Sequence, residues 1–216
     1  MEAKELFIQL IKAKTVNDDQ TEWIGINVLQ NWMNKCGLEY NVFKSPKHRP
    51  NLVAKLPKTY GNSGEPPLIL LSHIDVVAAI DEEWAYPPFS GIEAESAIWG
   101  RGTLDTKQLT AMHAHAYYCL SKQKHRSRDA YFIVTSDEEN GSIEGMAFLV
   151  KEQPHLFEHA TIFSEGGGFL IENQDSETSH MLYANSEKGV ATVRLAAEME
   201  GGHAAAPPDE SLILLL

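Results

Sequence analysis

Residues 68–75, LILLSHID, carry the pattern that decides the fold. Four consecutive apolar residues are followed by a serine, by His73 and, two positions later, by Asp75. A short continuous apolar run is typical of a central strand that is covered on both faces. Side chains two positions apart on a strand share a face, so His73 and Asp75 can touch. An imidazole held by a carboxylate keeps its other ring nitrogen free for a metal, whereas the alternative is a polar strand end wetted at the sheet edge.

The segments around this strand alternate between helical and extended patterns. Helical spacing of apolar residues, with Thr21 as a candidate N-cap and Gly37 as a candidate C-terminal cap, predicts helices at residues 7–14, 21–37, 104–121 and 143–152. Strand patterns lie at residues 38–43, 51–56, 68–73, 98–99, 130–136 and 160–164. This alternation predicts an α/β sandwich with a largely parallel sheet between helices.

The pattern changes near residue 187. Val193, Leu195, Ala197 and Met199 alternate with more polar positions, which predicts a half-exposed strand unlike the buried runs before it. Residues 201–208 have the composition of a turn, and a helix begins near Asp209. A second domain is therefore expected to begin at residue 187.

Composition restricts the class of partner. The 216 residues include 18 Lys and Arg against 30 Asp and Glu, for a net charge of −12, which disfavours nucleic acid and anionic membranes as partners. Two isolated cysteines predict neither a disulfide framework nor a thiolate zinc site. The charged N-terminal helix does not resemble a signal peptide, and no apolar run is long enough to span a membrane. We therefore expect a cytoplasmic protein.

Acidic side chains follow the apolar runs. Asp137, Glu138 and Glu139 come directly after the strand pattern at 130–136, Glu165 follows the one at 160–164, and Asp105 lies where a loop becomes a helix. In α/β sheets, ligands gather at the carboxyl ends of the strands, where His73 also lies. Crowded carboxylates repel one another unless cations lie between them. Oxygen-rich sites with one histidine suit zinc, manganese or cobalt, so the pattern predicts a metal site.

Several motifs occur in a characteristic order: SHIDVV, EEWAYPPFSG, IWGRGTLDTK, SDEENGSIEG, SEGGGF, SEKG and GGHAAAPPDES. In this order they resemble the dizinc metallopeptidases of the aminoacylase and carboxypeptidase S family, and above all carboxypeptidase S and the N-acyl amino acid hydrolases. The resemblance implies a zinc-exopeptidase-like catalytic domain over residues 1–186 that lacks its C-terminal part. It also implies that residues 187–216 begin a ferredoxin-like lid, through which the full-length protein could form a homodimer.

The resemblance implies two zinc ions in a complete active site, with Co²⁺ or Mn²⁺ able to substitute. One metal would take His73, Asp105 and Glu165, with Asp105 bridging to the second metal and Glu139 binding that second metal. The family's last zinc-binding histidine would lie beyond residue 216. We therefore expect the 216-residue chain to hold about one zinc ion and to be nearly inactive.

The resemblance also implies the catalytic groups. Asp75 would orient His73, Glu138 would act as general base towards a metal-activated water, and His203 would stabilise the oxyanion. The implied reaction is hydrolysis of an amide bond next to a free carboxylate, in a small peptide or an N-acyl amino acid. The alternative is a truncated, inactive relative that acts at most as a binding module.

A second motif competes with this set. Residues 155–159, HLFEH, match the H-x-x-E-H pattern of some single-zinc proteases. That pattern needs a long helix to bring both histidines to one metal, and here Pro154 precedes it while a strand pattern begins at Ala160. The sequence therefore favours the metal site formed by His73, Asp105, Glu139 and Glu165 over a single-zinc site at HLFEH.

Overall fold

The computed structural model describes residues 2–61, 64–166, 168–172, 179–184, 186 and 193–196. Contacts divide the chain after Glu165, into a large first unit and a second unit that begins at Gly166. All of the described helices lie in the first unit.

The elements of the first unit alternate much as the sequence predicts. The helices are α1 (Ala3–Lys12), α2 (Glu22–Cys36), α3 (Lys107–Ser121) and α4 (Met146–Glu152). The strands are β1 (Asn41–Lys44), β2 (Pro50–Leu56), β3 (Leu68–His73), β4 (Ile92–Ala94), β5 (Ala97–Trp99), β6 (Ala130–Thr135) and β7 (Thr161–Phe163). In the second unit, β8 (Phe169–Glu172) and β9 (Ser179–Leu182) form an antiparallel hairpin. No helix in the described part of the chain is both long and apolar enough to cross a membrane.

The main sheet has five strands in the order β1-β2-β6-β3-β7. The predicted α/β architecture is confirmed, but the sheet is mixed rather than largely parallel. Strand β3 runs parallel to β6 and β7, whereas β2 is antiparallel to both β1 and β6. The reason lies in the connections: α3 lies between β3 and β6 and allows a parallel crossover, while the few residues between β1 and β2 allow only a hairpin.

The sheet is covered on both faces, as the apolar run at 68–73 predicts. Consecutive residues of β6 point to opposite sides, so Phe132 and Val134 join one buried cluster while Tyr131 and Ile133 join another. The first cluster contains the buried apolar faces of α1, α2 and α3, and the second contains Leu149 of α4. This packing places the carboxyl ends of β3 and β6 side by side at one edge of the sheet.

Two predicted helix starts shift towards the C-terminus. Helix α3 begins at Lys107 instead of residue 104, because residues 101–106 form turns in which the Lys107 N–H donates to the carbonyl of Gly102. Gly102 has a φ of +89°, a conformation that favours glycine. Helix α4 begins at Met146 instead of residue 143, after a turn closed by a hydrogen bond from the Gly145 N–H to the Ser142 carbonyl.

The predicted strand at residues 193–199 is wrong for its described part. Residues 193–196 have no regular secondary structure and are exposed. The remaining residues of that prediction, the predicted helix near Asp209 and most of the ferredoxin-like lid lie outside the described residues. The domain boundary at 186/187 stays a prediction.

Candidate metal centre

His73 ends β3 and is only 2% exposed. Its Nδ1 lies 3.0 Å from the backbone carbonyl oxygen of Asp75 and 3.5 Å from the Oδ1 of the same residue. These acceptors favour the tautomer with a proton on Nδ1, which leaves the lone pair on Nε2. The polar strand end is therefore buried and oriented, rather than wetted at the sheet edge.

Three carboxylates surround the Nε2 atom of His73. The nearest carboxylate oxygens lie at 3.0 Å (Asp105 Oδ1), 3.3 Å (Glu165 Oε2) and 3.7 Å (Glu138 Oε2). The ligand atoms of His73, Asp105 and Glu165 all lie within 4.8 Å of one another. One imidazole and two carboxylates with room for water form the donor set of a catalytic zinc site, so these residues fit a divalent cation.

The electrostatics of the cluster favour a positive charge between these groups. Burial lowers the pKa of His73, but Asp75 and Glu165 outweigh it and raise that pKa to about 11. The hydrogen bond with His73 in turn lowers the pKa of Glu165. The negative charge around Nε2 therefore favours a cation at this position, either a proton or a metal ion.

Asp75 is fully buried and organises two parts of the site. Its Oδ2 accepts hydrogen bonds from Asn17 Nδ2 at 2.6 Å and from the Glu139 N–H at 3.1 Å. Its Oδ1 accepts one from the Glu138 N–H at 3.2 Å. Burial acts to raise the pKa of Asp75, but His73, together with the hydrogen bonds from Asn17 and the Glu139 N–H, outweighs it and lowers that pKa. Asp75 therefore orients His73 and also holds the turn that carries both glutamates.

Glu138 and Glu139 begin a short 3₁₀ turn, Glu138–Asn140, which is separated from the end of β6 by Ser136 and Asp137. Partial burial raises the pKa of Glu138, and the carboxylates of Glu165 and Glu139 add to this while His73 opposes it. Burial and the nearby Asp105 carboxylate likewise raise the pKa of Glu139. Glu139 lies outside the three-residue ligand group, so its predicted role at a second metal stays a prediction.

The competing motif has no helix. Residues 154–156 of the chain form a single 3₁₀ turn, and the next three residues form a turn that leads to β7. Within the described residues, the one group that could hold a metal contains neither His155 nor His159. His203, the predicted oxyanion residue, lies outside the described residues.

Two residues of the site could not be found from the sequence. Asn17 follows α1, and its hydrogen bond to Asp75 spans 58 positions. Arg49 is 6% exposed, and its side chain reaches Asn17 across 32 positions. Neither residue belongs to a local motif, so only the tertiary contacts between distant segments reveal them.

Comparison with known protein families identifies the family of this chain. Residues 69–210 match the model for peptidase family M20/M25/M40. The chain belongs to this family. The matched span contains the whole cluster around His73, and the resemblance drawn from the motifs is confirmed. Because M20 proteins are metal-dependent peptidases and related hydrolases, the family agrees with the donor set described above.

Individual relatives support the same conclusion. The chain is 36% identical over 153 residues to an N-fatty-acyl-amino acid synthase/hydrolase of Homo sapiens, covering 69% of this chain and 30% of that protein. It is 32% identical over 156 residues to the probable carboxypeptidase S-like 2 of Dictyostelium discoideum, with coverage of 69% and 30%. The chain thus spans about a third of the length of the curated relatives it matches.

The fold also matches a solved member of the family. The M20 family metallo-carboxypeptidase of Sulfolobus solfataricus superposes with a TM-score of 0.64 at 22% identity, over 78% of this chain and 38% of that one. At this identity the match supports the fold alone.

Proposed function

We propose that this chain carries the metal centre of a hydrolase that cleaves an amide bond next to a free carboxylate. The observation that carries the proposal is the Nε2 atom of buried His73, which faces Asp105, Glu165 and Glu138 while Nδ1 is held by Asp75. The substrate class, a small peptide or an N-acyl amino acid, is supported by the carboxypeptidase and N-acyl-amino acid hydrolase names of the relatives.

His73, Asp105 and Glu165 would hold the first metal, for which we propose zinc. The Asp105 side chain is 66% exposed beyond its contact with His73, so it has a free side from which to bridge to a second metal bound by Glu139. A bound divalent cation supplies Lewis-acid activation of water and of the substrate carbonyl. Among the described residues only Asp105 and Glu139 would hold a second ion, one protein ligand fewer than a catalytic zinc site usually has, so we propose that the 216-residue chain holds one metal ion and is nearly inactive.

Glu138 would move the proton. Its Oε2 lies 3.7 Å from His73 Nε2, beside the position of the first metal, and 43% of its side chain is exposed. The raised pKa of Glu138 suits a group that accepts a proton from water and then donates it to the leaving nitrogen. His203 as oxyanion donor and the lid as a dimer surface stay predictions.

This role can be tested by making Glu138→Gln in a full-length protein, one that contains this chain and is as long as its relatives. We expect bound zinc, measured by elemental analysis, to stay at the native level, because Glu138 is not among the three grouped ligands. Hydrolysis of N-acyl amino acids and dipeptides should fall by about 10²–10⁴-fold in kcat. The matched control is Glu158→Gln, which changes the exposed glutamate of the HLFEH motif. Near-native turnover of Glu138→Gln would refute the assigned base.

Metal binding can be tested in the 216-residue chain itself. His73→Ala removes the nitrogen ligand and should weaken zinc binding by at least about 100-fold in equilibrium dialysis. His155→Ala and His159→Ala serve as controls and should bind zinc like the native chain. The reverse order would support the single-zinc motif, and a native chain without measurable zinc affinity would support a module without a metal.

A further inference from the structure

We propose that Arg49 is a positioning residue of the metal centre: its guanidinium joins the two segments that place His73 and Glu138. The proposal rests on the proposed function of that centre. Arg49 lies between β1 and β2, and its hydrogen bonds and ion pairs in the described structure reach none of the three grouped ligands.

The guanidinium is buried and contacts three groups on three segments. Its Nη1 forms a buried ion pair with Glu22 in the first turn of α2 and lies 3.3 Å from Asp137 Oδ1. Its Nη2 donates a hydrogen bond of 3.2 Å to the backbone carbonyl of Asn17. Arginine suits this position because its planar fork donates in several fixed directions at once.

One branch leads from Arg49 to the histidine. Arg49 holds the backbone of Asn17, and the side chain of Asn17 donates to Asp75 at 2.6 Å. Asp75 in turn holds His73 Nδ1 through its backbone and carboxylate oxygens. A shift of the Asn17 segment would therefore change the direction of the His73 lone pair.

The other branch leads to the general base. Asp137 precedes Glu138 and has a φ of +67°, a conformation uncommon for a residue with a side chain. Its carboxylate is held by Arg49 on Oδ1 and by the Glu144 N–H, at 2.9 Å, on Oδ2. Arg49 thus helps to hold Asp137 in this conformation, and with it the direction in which Glu138 leaves β6.

The burial of the charges explains why the arrangement is specific. Glu22 and Asp137 are 0% and 3% exposed, so each needs a partner, and Arg49 is the cation that both contact in the described structure. A lysine at position 49 would keep the charge, but a single ammonium lacks the planar fork that reaches Glu22, Asp137 and the Asn17 carbonyl together. Arg49→Lys therefore keeps the positive charge but removes the planar group that can reach all three partners at once.

The experiment compares native chain, Arg49→Lys and Arg126→Lys by Co²⁺ binding and hydrogen–deuterium exchange. In Arg49→Lys we expect the Co²⁺ dissociation constant to rise by about 10–100-fold, with a changed visible absorption spectrum. Without metal, exchange in the peptide covering residues 136–145 should rise by about tenfold, while the β2 and β6 cores stay protected. Arg126 is the control because its guanidinium also has three partners, all of them backbone carbonyls, and none of its hydrogen bonds in the described structure reaches a residue of the centre.

Each outcome decides the proposal. Native-like Co²⁺ affinity, spectrum and exchange in folded Arg49→Lys would overturn it, as would faster exchange spread over the whole first unit. If Arg49→Lys fails to fold, Glu22→Gln keeps an acceptor for Arg49 and removes only the charge. In Glu22→Gln the same readouts should move in the same direction by a smaller factor, and a folded Glu22→Gln with unchanged readouts would overturn the proposal. A native chain that binds no Co²⁺ would refute the proposed function, while the exchange of residues 136–145 would still decide the role of Arg49.

Discussion

Asp75→Asn should be among the most damaging isosteric changes in this chain. The carboxylate is fully buried and accepts three hydrogen bonds, and His73 Nδ1 lies 3.5 Å from its Oδ1. Oδ2 takes Asn17 Nδ2 and the Glu139 N–H, while Oδ1 takes the Glu138 N–H and faces His73 Nδ1. An asparagine amide has one acceptor oxygen, so its NH₂ group must face one of these pairs of donors.

The less costly orientation places the NH₂ group at the Oδ1 position. His73 then keeps the Asp75 backbone carbonyl at 3.0 Å, but the Glu138 N–H loses its acceptor. A donor left unsatisfied in a buried position costs about 1–3 kcal/mol, and loss of the charge weakens the hydrogen bonds that remain by a similar amount. We therefore expect Asp75→Asn to lower the free energy of unfolding by about 2–6 kcal/mol and to weaken zinc binding by about 10–100-fold.

The assay is urea unfolding at pH 7, with zinc affinity measured on the folded variant. Asp129→Asn is the matched control, because the Asp129 carboxylate also accepts two hydrogen bonds but its side chain is 26% exposed. It should cost no more than about 1 kcal/mol and leave zinc binding unchanged. A loss below about 0.5 kcal/mol for Asp75→Asn, with native zinc affinity, would refute the view that Asp75 organises the site.

Two further predictions concern stability. A Cβ added at Gly145 would lie 1.8 Å from the backbone carbonyl oxygen of Ser136, so Gly145→Ala should lower the free energy of unfolding by at least about 1–3 kcal/mol in urea titrations. A melting curve like that of the native chain would contradict this. Burial acts to raise the pKa of Asp129, but hydrogen bonds from Lys55 and from the Lys58 N–H outweigh it and lower that pKa. A lowered carboxyl pKa stabilises the fold above the unfolded pKa, so the gap between native chain and Asp129→Asn should be constant from about pH 8 to pH 5. It should begin to shrink near the unfolded pKa of about 4 and be lost only as the pH falls through the lower folded pKa. A gap that grows in acid would contradict the sign.

The central strand and its polar end were predictable because their signals are local. An apolar run followed by His73 and Asp75 needs only the two-residue period of a strand to place both side chains on one face. The ends of the two apolar strands that precede Glu138 and Glu165 could likewise be located from the hydrophobicity of the sequence alone. Because parallel strands end at one edge of the sheet, the meeting of His73 with Glu165 followed from the predicted strand pattern.

The sequence by itself thus determined the α/β class, the buried strand with His73 and the acidic residues at the sheet edge. Only the tertiary structure decided which carboxylates reach Nε2, that Glu139 stands outside the group, and that β2 runs antiparallel to β6. It also revealed Asn17 and Arg49, whose contacts join segments 32 and 58 positions apart. Periodicity and turn composition describe neighbours along the chain. A buried hydrogen bond between distant segments depends instead on how α2, the β1–β2 connection and the turn after β6 pack together, and no local pattern encodes that packing.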